Sequence, residues 1–374
     1  MKILIFYGSY GGGHLSAARS IKEYIDLNYK DSETLLVDCV EYVNKAVNKV
    51  STRAFAEMAK SAPKLWGKMY SNANDGYFFA KITNISNNVM AIKLDKLLDE
   101  FNPDLVISTH PFSSQMCAQI KKKNKRNFKL ATVLTDYAPH EQWIYGNAFV
   151  DYYFVAHDKM RNEIIAKGID KNKVYSTGIP LSNKFLQSYN KEETLANFGL
   201  KPNKRTVLFF AGGEFGFIRG KTYAILKSFI NSFPDFQLVA IAGKNINAKK
   251  RFDKLVEENN REDTIKVLQY TDKIAELMSV SDLVITKPGG LTSTESLASG
   301  LPIVIINPIP GQEEENAEFL QEHNAAVWIK NKADVQIILK DLFESPDKIR
   351  NMKINARLLA KKNSTKDICE ILLT

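Results

Sequence analysis

ILIFYGSYGGGHLSAARSIKEYI, residues 3–25, joins a five-residue apolar run, a glycine turn and an amphipathic stretch in one piece. Ile3–Tyr7 shows no polar alternation, as expected of a parallel strand covered on both faces. Gly11, Gly12 and Gly13 then let the backbone approach a ligand closely or take a positive φ. The turn ends in His14, so the helix predicted to follow carries a titratable ring near its amino end. There the helix dipole favours bound anions and disfavours imidazolium. A neutral imidazole could take a proton or hydrogen-bond a substrate; a histidine that merely caps the helix is the alternative.

The same strand, turn and helix rhythm runs on through TLLVDCV, DLVIST, KLATVLT and YYFVA, then lapses in YNKEETLANFGLKPNKR. It resumes with TVLFFAGG, FQLVAIAG, IKVLQY, DLVITK, LPIVIIN and AAVWIK. Short apolar strands separated by helices predict an α/β protein. We therefore expect two Rossmann-like domains with parallel sheets facing a central cleft: residues 1–185, a linker at 186–203, and residues 204–374, the last helix being placed to pack back on the first domain. Glycine turns follow strands at 11–13, at Gly212 and Gly213, and at Gly289 and Gly290, where open parallel sheets bind ligands.

The length of 374 residues fits two such domains, and a composition of 44% hydrophobic and 25% charged residues is that of a soluble globular protein. No apolar run approaches the roughly 20 residues of a membrane span, and glycine comes too early for a signal-peptide core. These features predict a cytoplasmic protein. Cys39, Cys117 and Cys369 are odd in number and far apart, which argues against disulfides or a zinc site. The net charge of +9 points to an anionic partner.

The first turn is not a dinucleotide fingerprint, because Ser16 stands where G-x-G-x-x-G needs its third glycine, and Asp38 is only a loose ribose candidate. The third turn is richer: KPGGLTSTESLASGLPIVIINPIPGQEEEN, residues 287–316. Pro288, Gly289 and Gly290 feed a helix predicted to begin near Thr292, whose free N–H groups would suit a pyrophosphate. Glu295 lies one turn in. It reads either as the carboxylate of a Thr292-x-x-Glu295 capping box or as an acceptor for two ribose hydroxyls. In the following loop Gln312, Glu313 and Asn316 suit a polyhydroxylated ligand, or form a solvated loop. No D-x-D pair is present to hold a divalent metal.

These residues carry a resemblance. YGGGH at 10–14, STHPFSS at 108–114, LATVLTDYAPHEQW at 130–143, AGGEFG at 211–216, IAGKN at 241–245 and above all the 287–316 block make the chain similar to a group of GT-B glycosyltransferases. The group contains monogalactosyldiacylglycerol synthases, bacterial processive diacylglycerol glycosyltransferases and the lipid-II-forming N-acetylglucosaminyltransferase. STHP followed by TDY…H…W resembles the diacylglycerol enzymes most. The resemblance implies an inverting transferase that moves a hexosyl group from a UDP-sugar to diacylglycerol, with the first domain holding the acceptor and the second the nucleotide sugar. It implies Glu295 at the ribose, and Gly289, Gly290, Leu291 and Thr292 near the diphosphate. Gln312, Glu313 and Asn316 would meet the donor sugar, and Gly243, Asn245 and Ile274 would border the uracil. Gly13, Gly212 and Gly213 join the donor set, while His14 and Asp136 are the candidate bases. On the acceptor side it implies His110 and Trp143. No cofactor or metal is expected, the leaving diphosphate being met by helix termini and nearby cations. N-acetylglucosamine transfer to a polyprenyl-linked precursor is the rival reading, and a catalytically silent nucleotide-sugar sensor is another.

Between Lys45 and Lys96 nine basic residues stand against Glu57, Asp75 and Asp95. Lys60, Lys64 and Lys68 recur at helical spacing, and Trp66, Tyr70, Phe78 and Phe79 are interleaved with lysines. Basic residues with aromatics suit an anionic bilayer, each cation near the surface contributing about 1 kcal/mol. A solvated helix packed on the first domain is the plainer alternative. No RNA-binding motif accompanies the charge, so nucleic acid is not an expected partner. The expected location is the inner face of the cell membrane, peripherally bound.

Overall fold

The structure, a computed structural model, describes residues 1–9, 12–43, 92–124, 126–144, 146–210 and 221–374. The chain forms two compact units: Met1–Asn183 with Pro310–Glu315 and Lys361–Thr374, and Lys184–Ile309 with Asn316–Ala360. Each is a parallel sheet flanked by helices, the predicted α/β class.

In the first unit the strands are β1 (Lys2–Tyr7), β2 (Glu33–Asp38), β3 (Leu105–Ser108), β4 (Lys129–Val133), β5 (Tyr152–Phe154) and β6 (Val174–Tyr175). They lie in the order β2-β1-β3-β4-β5-β6, every pair parallel. Ile3 to Phe6 are wholly buried, which explains an apolar run without alternation. The helices are α1 (Gly13–Asn28), α2 (Cys39–Val43), α3 (92–101), α4 (Pro111–Asn124) and α5 (Asp158–Ala166). Pro111 suits the first turn of α4, where no N–H bond is lost. Because the chain turns from β1 outward to β2 and then back to β3, the switch point of this sheet lies between β1 and β3. Ligands of open parallel sheets bind at the carboxyl edge of such a point.

In the second unit β7 (Arg205–Phe210), β8 (Phe236–Ile241), β9 (Ile265–Leu268), β10 (Leu283–Thr286), β11 (Ile303–Ile305) and β12 (Ala326–Trp328) are arranged β12-β11-β10-β7-β8-β9. Here the switch point is between β7 and β10. The helices are α6 (Lys191–Asn197), α7 (Lys221–Ser232), α8 (Ile246–Glu257), α9 (Ile274–Val280), α10 (Gly290–Ala298), α11 (Gln312–Glu322), α12 (Val335–Glu344) and α13 (Pro346–Leu359). Residues 186–203, expected as a connector, are built into this unit. The Asn190 side chain caps α6, and Gln237, 1% exposed, exchanges hydrogen bonds with the Lys201 backbone.

The last helix, α14 (Ser364–Leu373), belongs to the first unit and packs on α1. Ile368 and Cys369 are fully buried in one cluster with Ile3, Ile21 and Ile25. The Thr365 hydroxyl accepts the Leu181 N–H at 2.8 Å and donates to the Leu181 carbonyl at 2.7 Å. Gly178, with φ +95°, makes this passage possible, since a Cβ there would lie 2.4 Å from the Lys361 Cβ.

Candidate active site

At the switch point of the first sheet, the turn after β1 meets the turn after β3. Gly13 opens α1, and Gly12, its N-cap, has no side-chain cap bond. His14, the second helical residue, is therefore not a cap. Its ring turns to β3, where Nδ1 lies 2.6 Å from the Thr109 carbonyl oxygen and 3.1 Å from Thr135 Oγ1. A carbonyl can only accept, so Nδ1 carries the proton and Nε2 the lone pair. Burial pushes the His14 pKa down to about 4, with the Thr109 carbonyl pulling the other way. The ring is neutral at physiological pH.

Around His14 stand two more histidines and a tryptophan. The His110 ring meets His14 edge-on at 4.7 Å, and Trp143 lies 6.4 Å from His14 and 5.9 Å from His140. His110 Nδ1 accepts the Phe112 N–H at 3.2 Å, which places its proton on Nε2. Burial lowers the pKa of both His110 and His140, the latter to about 4; His14 lowers each further, and His140 adds to the effect on His110. Trp143 is 1% exposed, and its Nε1–H is buried with no hydrogen-bond partner among the described residues. Gly8 makes room for this group, because a Cβ there would lie 2.9 Å from the His110 ring.

Asp136 follows Thr135 and is 4% exposed. Both its oxygens lie 3.3 Å from Gln312 Nε2, within the Pro310–Glu315 segment of the same unit. Gln312, expected at the donor sugar, is thus also a partner of a candidate base. Asp38, the loose ribose candidate, is occupied: its carboxylate takes the Ser9 hydroxyl and the N–H groups of Val40 and Glu41.

In the second unit the first residues of the 287–316 block, Lys287 to Gly289, form the turn after β10, at that sheet's switch point. Helix α10 begins at Gly290 with Gly289 as N-cap, two residues before the start expected near Thr292, and has no side-chain cap bond. This overturns the capping-box reading of Glu295, which lies too deep in the helix to reach the first N–H. Its carboxyl makes no hydrogen bond to a described residue, and burial pushes its pKa up to about 8. Gly289 has an ordinary φ of −66°, and a Cβ on it would meet nothing within 4 Å. Neither backbone strain nor packing against a described residue asks for glycine there. Gly290 and Leu291 are buried and Thr292 partly so. Asn316 is fully buried, its Nδ2 donating to the Pro288 carbonyl at 3.0 Å, so it props the turn from behind. Glu313 lies in the first turn of α11.

Gly243, with φ +62°, forms the turn after β8, and Asn245 caps α8 by accepting the Ala248 N–H at 3.0 Å. Ile274 opens α9 after β9 and is partly exposed. The three share the carboxyl edge of the second sheet with α10. Gly212, Gly213, Lys60, Lys64, Trp66, Lys68, Tyr70, Phe78 and Phe79 lie outside the described residues.

Sequence reasoning did not single out Gly8, Thr109, Thr135 or His140. Thr109 acts through a backbone carbonyl, for which residue type gives no signal; its place beside His110 in STHP was the available hint.

Residues 14–181 match the monogalactosyldiacylglycerol (MGDG) synthase family, and residues 207–371 the glycosyltransferase family 28 C-terminal domain. The chain is 30% identical over 370 residues to a processive diacylglycerol beta-glucosyltransferase of Bacillus pumilus (strain SAFR-032), covering 99% of this chain and 94% of that protein. It is 29% identical to the enzyme of the same name from Bacillus subtilis (strain 168), covering 100% and 94%. Among solved structures, UDP-GlcNAc 2-epimerase from Neisseria meningitidis bound to UDP-GlcNAc superposes with TM-score 0.65 at 15% identity, all of both chains being covered. MurG from Acinetobacter baumannii gives 0.62 at 11% identity, covering 99% of this chain and 98% of that one. At these identities the structures speak to the fold, which is of the two-domain GT-B kind.

Proposed function

The chain belongs to the diacylglycerol glycosyltransferase family, and we propose that it moves a hexosyl group from a UDP-sugar to the free hydroxyl of diacylglycerol, with inversion at the anomeric carbon. The names of its relatives favour glucose over galactose and successive additions over a single one. The observation that carries the catalytic reading is the wiring of His14: a neutral imidazole at a sheet switch point whose Nε2 makes no hydrogen bond to a described residue. Direct displacement needs such a base for the attacking hydroxyl and positive dipoles for the departing diphosphate. The start of α10 offers the dipoles, and Glu295 offers an acceptor to the ribose hydroxyls. His14 takes the acceptor proton in this reading, and Asp136 with Gln312 orients the donor sugar. No metal is assigned a role. The basic segment around Lys60, Lys64 and Lys68 docks on anionic lipid at the inner membrane face.

A panel of radiolabelled UDP-sugars offered to liposomes of diacylglycerol and anionic lipid tests this, with polyprenyl-linked precursor and UDP-N-acetylglucosamine as competitors. Expected are mono- and dihexosyl lipids from UDP-glucose, formed equally in excess EDTA. His14→Ala lowers turnover by about 10²- to 10⁴-fold, as for loss of a general base, and Asp136→Asn raises the donor KM as well. Replacing Lys60, Lys64 and Lys68 by Gln releases the protein from liposomes but spares turnover of short-chain diacylglycerol in detergent. Transfer only to the polyprenyl acceptor, or UDP binding without transfer, refutes the reading.

A further inference from the structure

Five histidines are present in the chain, and the hydrogen bonds of four of them fix which nitrogen holds the proton. His110 accepts the Phe112 N–H on Nδ1, and His157 accepts the Met160 N–H on Nδ1 while Nε2 faces the Tyr137 carbonyl at 2.8 Å. Both are Nε2–H tautomers. His14 is wired the opposite way, through the Thr109 carbonyl, and its Nε2 carries a lone pair with no hydrogen bond to a described residue. His323, with Nδ1 at 2.8 Å from the Phe319 carbonyl, shares its tautomer but sits on α11.

Thr109 grips His14 at two points. Its carbonyl accepts from Nδ1, and its hydroxyl donates to the backbone carbonyl of His14 at 2.9 Å, with the Phe6 carbonyl at 3.2 Å as a second acceptor. The Thr109 N–H also donates to Phe6 at 3.0 Å, pinning the turn after β3 to the end of β1. Thr135 Oγ1 lies on the same nitrogen. Ring and helix start are therefore held by one residue, and the ring by a second from the end of β4.

We propose that Thr109 and Thr135 are positioning residues that hold His14 as its Nδ1–H tautomer, so that Nε2 is the atom that receives the proton of the attacking hydroxyl. The inference rests on the reading of His14 as the base, but the tautomer itself does not. When the proton moves from the acceptor oxygen to Nε2 the ring becomes imidazolium, and the Nδ1–H bond to the carbonyl strengthens at that moment. The carbonyl takes the orienting place that a buried carboxylate has in a Ser-His-Asp triad and partly offsets the cost of the charge, without a second buried charge.

The test uses the full-length protein labelled with ¹⁵N-histidine, His14 being assigned by the signal lost in His14→Gln. Two-bond ¹H–¹⁵N correlation spectra read the tautomer directly, with His110 and His157 as internal Nε2–H references. An Nδ1–H pattern for His14 is expected. Thr109→Val keeps the carbonyl but removes the hydroxyl clamp; it is expected to lower kcat by 10- to 100-fold with an unchanged donor KM, in line with the cost of a small misplacement. Thr109→Ser restores kcat, and Thr135→Val lowers it less. An Nε2–H pattern for His14, or a folded Thr109→Val enzyme with parental kcat, overturns the proposal. An Nδ1–H pattern together with full turnover by His14→Gln leaves the tautomer lock standing and refutes His14 as the base.

Discussion

Glu295 is the residue whose chemistry is most exposed to test. An ordinary glutamate titrates near 4.5, whereas this one is held up at about 8 by burial. Between those values the folded chain keeps a proton that the unfolded chain has given up. The stability tied to this group is thus intact below about pH 4.5 and is lost as pH rises toward 8. Glu295→Gln is expected to stabilise the protein by roughly 1–3 kcal/mol at pH 8 and hardly at all at pH 4, a window set by the shift and reduced because the side chain remains partly open to water. Thermal melts across that range check it. On the proposed ribose role, the same substitution also removes an ionised acceptor for two hydroxyls, and UDP affinity is expected to fall by about 10- to 100-fold, the worth of hydrogen bonds to a charged group. Calorimetry in buffers of different ionisation enthalpy adds a sharper reading, because UDP binding to the parent at pH 7 releases a proton that the variant cannot. Equal affinities with no proton released would falsify the ribose role.

At the scale of elements, the turn after β10 joins a strand, a cap and a helix in six residues. Gly289 needs no unusual φ and has empty space where a side chain would go. Gly289→Ala should therefore change stability by no more than about 0.5 kcal/mol. The stiffer unfolded chain gains about 0.4–1 kcal/mol, and alanine is poorer than glycine at an N-cap by a similar amount. UDP affinity is nonetheless expected to fall at least tenfold, because the methyl group would enter the space that the proposed function gives to the diphosphate. A variant that melts like the parent and binds UDP equally well removes the diphosphate from this turn. The strands were legible in the sequence because buried parallel strands are unbroken apolar runs, as Ile3–Phe6 and Leu283–Ile285 show. The start of α10 was not, since Thr292 and Glu295 have the spacing of a capping box while the chain is already helical at Gly290. His14 could be named from its place after three glycines, but its tautomer could not, because what fixes it is a main-chain oxygen 95 residues away. Asn316 was read as a ligand contact for its residue type; the hydrogen bond from its Nδ2 to the Pro288 carbonyl had no signal in the sequence.

For the whole molecule the chain order and the unit order differ. The first unit is completed by Lys361–Thr374, and with it go two fully buried side chains, Ile368 and Cys369, and the two Thr365–Leu181 hydrogen bonds. At about 1.5–3 kcal/mol for a buried aliphatic side chain and about 1 kcal/mol per hydrogen bond, a chain ending at Ala360 loses roughly 5 kcal/mol from that unit. This is comparable to the whole stability of a marginal domain. Hydrogen exchange is expected to show the β1 and α1 amides unprotected in the truncated protein while β7 and β8 stay protected, and a peptide of residues 361–374 added in trans should restore protection. Persistence of β1 protection without the peptide contradicts this. During synthesis the strands around His14 leave the ribosome first, and domains ordinarily begin to fold in that order. Here they have no finished core to fold into until the segment that begins at Lys361 has been made. Premature termination anywhere before α14 leaves a product whose first unit is open to proteases, so the packing of one helix checks that translation has passed Leu373.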